Sequence, residues 1–213
     1  MNSKQQRPER RVVLIGVAGG IASGKSLVTD QLRSLGAAVI VADEAAHEVL
    51  KLEEVKQAAR RRWGEAIFGP DGEIDRPRLG KIVFAPPPEG PTELEYLEQL
   101  VHPHVRQKIG RRIEQLATDP AIRAIVLDVP LLFESKWNEV CDKILFVDAP
   151  RGTRLARAAQ RGWTAEELDR RESAQLPVEV KRQRSDVIID NSTTKQSTQA
   201  QVERFWQTVC DPS

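Results

Sequence analysis

No apolar run in this chain approaches the roughly 20 residues that span a bilayer, so an integral membrane helix is not expected. Cysteine is scarce. Cys141 and Cys210 are too few for a disulfide framework, and a reducing cytoplasm is the expected compartment. Charge of one sign is not in excess: at a net +1, no global field draws the chain to nucleic acid or anionic lipid. Aromatics make up 5 % of residues, and Trp63, Trp137, Trp163 and Trp206 are scattered, so there is no ladder on which bases could stack. Neither a nucleic-acid nor a membrane partner is expected. The histidines (His47, His102 and His104) come without a cysteine pair or a carboxylate cluster. A structural zinc site would lack its converging ligands. The first eleven residues are polar and basic, which does not read as a secretory signal; they are expected to be a flexible N-terminus.

What is present is the composition of a compact folded chain: 213 residues, 40 % hydrophobic and 30 % charged. Five continuous apolar runs mark strands buried on both faces: Val12–Val17, Ala38–Ala42, Ala124–Val129, Ile144–Val147 and Val187–Asp190. Helix-length segments separate them, which predicts a doubly wound α/β fold with a parallel sheet sandwiched by helices. Two gaps are longer than a simple crossover needs. Residues 44–118 read as a helical insertion, broken at Gly64–Asp75 and at the prolines of 85–91. A long helix is expected from Glu93 to Leu116, kinked or split at Pro103. Residues 151–185 are rich in arginine and short of large apolar side chains. The reading is a single domain over 12–210: core 12–43, 119–150 and 186–210, insertion 44–118, lid 151–185. Gln196 to Val209 reads as a closing amphipathic helix.

The most informative segment is Gly19-Gly20-Ile21-Ala22-Ser23-Gly24-Lys25-Ser26. It lies between the first apolar run and a helix-like stretch, and it fits the phosphate-loop pattern G-x-x-x-x-G-K-[ST] in the strand–turn–helix context that pattern requires. Backbone N–H groups in such a turn, aided by a helix N-terminus, cradle a triphosphate. Gly19 and Gly24 permit the close approach. Lys25 reaches the outer phosphates, the Ser26 hydroxyl is a magnesium ligand, and the first-turn amides of Ser26 and Leu27 hold the inner phosphates. The expected fold is therefore that of a phosphate-loop NTPase, with a nucleoside triphosphate and Mg²⁺ as its ligands.

Ligands of open α/β sheets sit beyond the carboxyl ends of the strands. Asp43 falls at the end of the second run and Asp128 near the end of the third. Asp43 is a candidate base for an attacking hydroxyl, or the N-cap of a helix starting at Glu44; both readings stay open. Asp128 is a candidate magnesium partner or a hydrogen-bonded strand-end carboxylate. Arg154, Arg157 and Arg161 recur at i, i+3, i+7 and share one helix face. Near a phosphate loop, such arginines suit a lid that closes over the triphosphate, though spacing does not say which one acts.

These residues together resemble the dephospho-coenzyme A kinase family, from about Val12 to Asn191. The resemblance rests on Gly16 to Ser26; on Ala42-Asp43 with Ala46-His47; on Asp75-Arg76 with Leu79 and Val83-Phe84; and on His102-Pro103-His104-Val105-Arg106. It rests further on Asp128-Val129-Pro130-Leu131-Leu132-Phe133-Glu134, on Arg157, Arg161, Arg171 and Gln175-Leu176-Pro177, and on Ser185 to Asn191. It implies transfer of a phosphoryl group from ATP to the 3′-hydroxyl of the dephospho-coenzyme A ribose. By the resemblance, Asp43 is the base, and Lys25, Arg157 and Arg161 are catalytic. Gly19, Gly20, Ala22, Ser23, Gly24, Lys25, Ser26, Leu27 and Asn191 bind ATP, Arg76, His102 and Arg106 contact the acceptor, and Ser26 and Asp128 serve the metal. Four positions depart from the family's usual residues: Ala22 for glycine, Leu27 for threonine, Val41 for aspartate and Arg154 for glutamine.

Two rival readings accept the same loop. A nucleoside-monophosphate kinase relative shares core and lid, but Pro130 to Glu134 speaks against it. A non-enzymatic nucleotide switch would carry an Asn-Lys-x-Asp motif, which Asp190-Asn191-Ser192-Thr193 does not fit. A monomer is expected, with self-association left open.

Overall fold

A computed structural model describes residues 12–210; the expected flexible segment 1–11 lies outside them. Five strands form one parallel sheet: β1 (Val13–Gly19), β2 (Ala38–Val41), β3 (Ala124–Asp128), β4 (Lys143–Asp148) and β5 (Val187–Asp190), in the order β2-β3-β1-β4-β5. The order places β1 at the centre, with β3 and β4 as its neighbours. All five apolar runs became strands, with ends shifted by at most two residues. The β2 run is one residue shorter than expected, because Ala42 and Asp43 already belong to the helix that follows.

Each strand of the centre is buried on both faces because side chains alternate across the sheet. On one face Ile15, Val17, Val126, Leu145, Val147 and Ile189 pack with Val28 and Leu32 of α1 (Lys25–Ser34) and with Val202 and Phe205. The last two belong to the closing helix α9 (Lys195–Cys210). Each large side chain fully buried here contributes about 2 kcal/mol. On the other face, Gly16 leaves room for Leu132: a Cβ there would sit 2.8 Å from its Cδ2 and 2.9 Å from Sγ of Cys141. The segment after β3 thus seals the sheet's second face.

By internal contacts the described chain forms two compact units, one holding the residues up to Val41 and from Ile113 onward, the other Ala42–Arg112. The second unit contains α2 (Ala42–Val49), α3 (Glu53–Trp63), α4 (Arg76–Val83) and most of α5 (Glu89–Ala117). Its core gathers Ala59, Ile67, Phe68, Ile74, Leu79 and Val83. Asp75 caps α4, its carboxylate accepting from the Arg78 amide at 3.0 Å, with Pro77 in the first turn. Glu93 ties α5 to α3 through a two-pronged pair with Arg62 (2.9 and 2.7 Å) and a bond from Trp63 Nε1 at 2.7 Å.

Of the kink or split expected at Pro103, helix α5 rules out the split: it is one helix, with Pro103 inside it. A proline removes one backbone donor and crowds one carbonyl. Here Val101, Val105 and Ile109, spaced by four, bury one stripe that crosses the proline and supports the helix on both sides of it.

After β4 the chain makes α6 (Arg151–Ala159), turns through Gly162, and makes α7 (Ala165–Ser173). Thr164 caps α7, its hydroxyl accepting from the Glu167 amide at 3.2 Å. A third short helix, α8 (Val178–Gln183), packs against β1 and β4. Among the described residues no helix is long and apolar enough to cross a membrane.

Candidate active site

The loop between β1 and α1 is shaped by two glycines that cannot be replaced locally. Gly19 has φ +156°, and a Cβ on it would lie 2.7 Å from the Val147 carbonyl oxygen and 2.6 Å from Ser23 Oγ. Gly24 has φ +98°, in the left-handed region, and a Cβ would collide with Nδ2 of Asn191. Helix α1 starts directly after Gly24 with no side-chain cap, so its positive end faces the loop unmasked. The Ser23 amide donates to the Gly20 carbonyl at 3.2 Å and closes the turn. The Leu27 amide donates to the Gly24 carbonyl at 3.0 Å, so a phosphate at Leu27 would have to share that donor.

Ala22 is the departure with a structural signature. It adopts φ +59°, where alanine costs about 1 kcal/mol relative to glycine. The residue is 7 % exposed and packs with Ala158 of α6 and Leu168 of α7, against Ile21, Leu155 and Trp163. Burial of that apolar seat offsets the strain.

Two side chains converge on the Ser23 carbonyl. Arg157 Nη1 donates to it at 2.8 Å and Asn191 Nδ2 at 2.7 Å. Arg157 Nη2 donates to the Asn191 carbonyl at 2.9 Å, and Thr198 Oγ1 donates to Asn191 Oδ1 at 3.0 Å. Asn191 is buried at 2 % exposure, and its amide is spent on the loop's own backbone. Arg157 and Asn191, expected at the nucleotide, both bond to the backbone of the loop at Ser23.

Lys25 is half-buried, and its Nζ donates to the Gly20 carbonyl at 3.4 Å. Burial pushes its ammonium below the ordinary lysine value, the Asp128 carboxylate opposes that shift, and the neighbouring charges of Lys181 and Arg161 add to it. The charges of Asp128, Lys181 and Arg161 are thus all felt at the Lys25 ammonium. Asp128 ends β3, where its register partner on β2 is Val41. Arg161 is exposed.

Lys181 and Glu134 were not singled out from the sequence as functional residues. Lys181 is 3 % exposed, and its Nζ lies 2.9 Å from Glu134 Oε1 and 2.9 Å from Gln175 Oε1. The same Glu134 oxygen accepts the Leu176 amide at 2.9 Å. Burial works against the Glu134 charge, but the bonds from Lys181 and Leu176 outweigh it and hold the carboxyl below its ordinary value. The signal was in the motifs: Glu134 closes the Asp128–Glu134 segment, and Gln175-Leu176-Pro177 precedes α8.

A magnesium ion that arrives with a triphosphate needs few protein ligands, all of them oxygen. Ser26, exposed in the first turn of α1, and Asp128 at the end of β3 supply that donor set. No group of three or more metal-ligating side chains exists among the described residues. His104 of the second unit pairs instead with Glu54, Nδ1 to Oε1 at 3.2 Å.

The remaining expected residues lie in the second unit. Asp43 is exposed in the first turn of α2. It follows the helix start at Ala42, which corrects the alternative that it caps a helix beginning at Glu44. Arg76 opens α4 and is exposed. His102 and Arg106 stand one turn apart on α5, both exposed on one face.

A parallel sheet with β1 central, a phosphate loop after it, a half-buried loop lysine, and an arginine-bearing helical segment after β4 define a phosphate-loop kinase. Comparison with known proteins narrows the class. The dephospho-CoA kinase family model matches residues 13–197, and the chain belongs to that family. It is 42 % identical to the dephospho-CoA kinase of Symbiobacterium thermophilum over 92 % of this chain and 81 % of that one. Among solved structures, a Thermus thermophilus protein superposes with TM-score 0.75 at 34 % identity, covering 91 % of this chain and 95 % of its own. Dephospho-CoA kinase from Campylobacter jejuni does so with TM-score 0.66 at 25 % identity, over 94 % and 98 %.

Proposed function

We propose that this chain transfers the γ-phosphoryl group of ATP to the 3′-hydroxyl of the dephospho-coenzyme A ribose, giving coenzyme A and ADP. The observation that carries the reading is the loop itself: an uncapped helix N-terminus, two irreplaceable glycines and Lys25 in the field of the Asp128 carboxylate, in a chain of this family.

On this reading, the loop amides and Lys25 hold the β- and γ-phosphates, and Arg161 adds charge as negative character develops on the transferring group. Ser26 Oγ and the Asp128 carboxylate would hold magnesium, whose chemistry is to neutralise the phosphate oxygens. Asp43 takes the proton of the attacking 3′-hydroxyl. The new bond joins that oxygen to the γ-phosphorus, and the bond to the β–γ bridging oxygen breaks. Support for Asp43 comes from the chain: it stands two residues beyond Val41, the register partner of Asp128. Arg76, His102 and Arg106 are the proposed acceptor contacts. Arg157 and Asn191 hold the shape of the loop through the Ser23 carbonyl. The substrates are soluble metabolites, so the cytoplasm is the proposed compartment and a monomer the proposed working unit.

The test is product analysis with purified protein, ATP, magnesium and dephospho-coenzyme A, run beside nucleoside monophosphates. Coenzyme A and ADP in equal amounts support the reading. Phosphorylation of a monophosphate alone would replace it with the nucleoside-monophosphate kinase alternative.

A further inference from the structure

Arg154 is among the few charged side chains buried in the described chain, at 7 % exposure. Its Nε donates to the Ala149 carbonyl, just past β4, at 3.2 Å. Its Nη1 reaches the Ile21 carbonyl of the phosphate loop at 3.4 Å and pairs with Glu172 of α7. It also lies against Gly20, where a Cβ would come within 3.1 Å of Nη1 and 3.3 Å of Cδ. Three separate elements therefore meet on one guanidinium: a strand end, the loop and a lid helix. A planar fork whose donors are spread over Nε and Nη1 reaches all three; an ammonium concentrates its donors at one point and does not match that spread. The apolar seat of Ala22 against Ala158 and Leu168 joins the same loop to the same helices one residue further on.

We infer that Arg154 is a positioning residue for the phosphate loop, stapling Ile21 to β4 and α7 and neutralising Glu172 beside the loop. The inference rests on the reading that this loop holds ATP. A buried arginine with only a packing role would stabilise the fold and leave nucleotide affinity untouched. A staple on Ile21 predicts a specific loss. Without the guanidinium the loop is freer before ATP arrives, and the Glu172 carboxylate is left as an unpaired negative charge near a site for anions.

The experiment compares wild type, Arg154→Gln, Glu172→Gln and the double variant. Two quantities are measured: equilibrium binding of a non-hydrolysable ATP analogue with magnesium, and amide hydrogen exchange across residues 20–23 without nucleotide. In Arg154→Gln, exchange in the loop speeds up and ATP affinity falls by about tenfold, the value of one charge-assisted hydrogen bond. Removing the stranded carboxylate in Arg154→Gln/Glu172→Gln restores part of that affinity. The Michaelis constant for the acceptor stays at its wild-type value. A folded Arg154→Gln with wild-type loop exchange and ATP affinity overturns the inference, as does a double variant no tighter than the single one. If Arg154→Gln does not fold, Arg154→Lys keeps the charge but not the fork. It should show faster loop exchange and weaker ATP binding, and wild-type values for it overturn the inference equally. Loop exchange is read without nucleotide, so it decides on Arg154 even where the wild type fails to bind ATP. That last result would sink the functional reading instead.

Discussion

Arg157 and Asn191 donate to the same oxygen: Nη1 of the first, at 2.8 Å, and Nδ2 of the second, at 2.7 Å, meet on the Ser23 carbonyl. They reach it from α6 and from the residue after β5, so two distant parts of the chain set one peptide of the phosphate loop. Asn191→Ala removes one of these donors and takes from the buried Thr198 hydroxyl its shortest acceptor, leaving it the Thr194 carbonyl at 3.2 Å. The expected loss is about 1–3 kcal/mol of stability in urea unfolding, with weaker ATP binding in the folded fraction. Wild-type values for both would remove Asn191 from the loop's support.

Gly19→Ala tests the loop from its front. The added methyl would meet the Val147 backbone oxygen at 2.7 Å, and a backbone atom in a central strand does not yield cheaply. Calorimetric titration should show ATP affinity reduced by at least about tenfold, with the sheet still folded by circular dichroism. Ala22→Gly is the contrast. It relieves the φ +59° strain but gives up a buried methyl and gains unfolded-chain freedom, so thermal stability should change by less than about 1 kcal/mol.

Glu134 gives the pH dependence. Its carboxyl is held below the ordinary glutamate value of 4.5 in the folded chain, despite burial, by Lys181 and the Leu176 amide. A carboxylate lowered on folding contributes stability that is complete above its unfolded value and lost as pH falls through its folded one. Wild type should therefore exceed Glu134→Gln in stability at neutral pH, and the two should converge below the ordinary value. Lys181→Met should raise the Glu134 titration, readable by carboxyl NMR. Parallel stability curves at all pH values would contradict the pairing.

Much of the architecture was legible because a parallel sheet covered on both faces writes itself as apolar runs. Val187–Asp190 was bounded to the residue, and β1 to β4 to within two. The phosphate loop was legible for a different reason: its glycines, lysine and serine are local in sequence. What escaped depends on partners far along the chain. Glu134 and Lys181 are 47 residues apart, and nothing in a six-residue helix such as α8 announces a buried lysine. Arg154 read as one of three arginines on the face of a lid helix, and only Glu172 and two backbone carbonyls explain its burial. Pro103 read as a kink or a split because proline's local cost was visible, and the Val101–Val105–Ile109 stripe that keeps α5 one helix was not weighed against it.

The central claim is transfer from ATP to the dephospho-coenzyme A hydroxyl with Asp43 as base. The direct measurement is single-turnover transfer of a γ-labelled phosphate from ATP to dephospho-coenzyme A by wild type and Asp43→Asn, with ATP affinity measured on both. The account predicts labelled coenzyme A from the wild type, and unchanged ATP binding with transfer slowed by about 10²–10⁴ in Asp43→Asn. Label that never reaches the acceptor in the wild type, or transfer at the wild-type rate in Asp43→Asn, would contradict it.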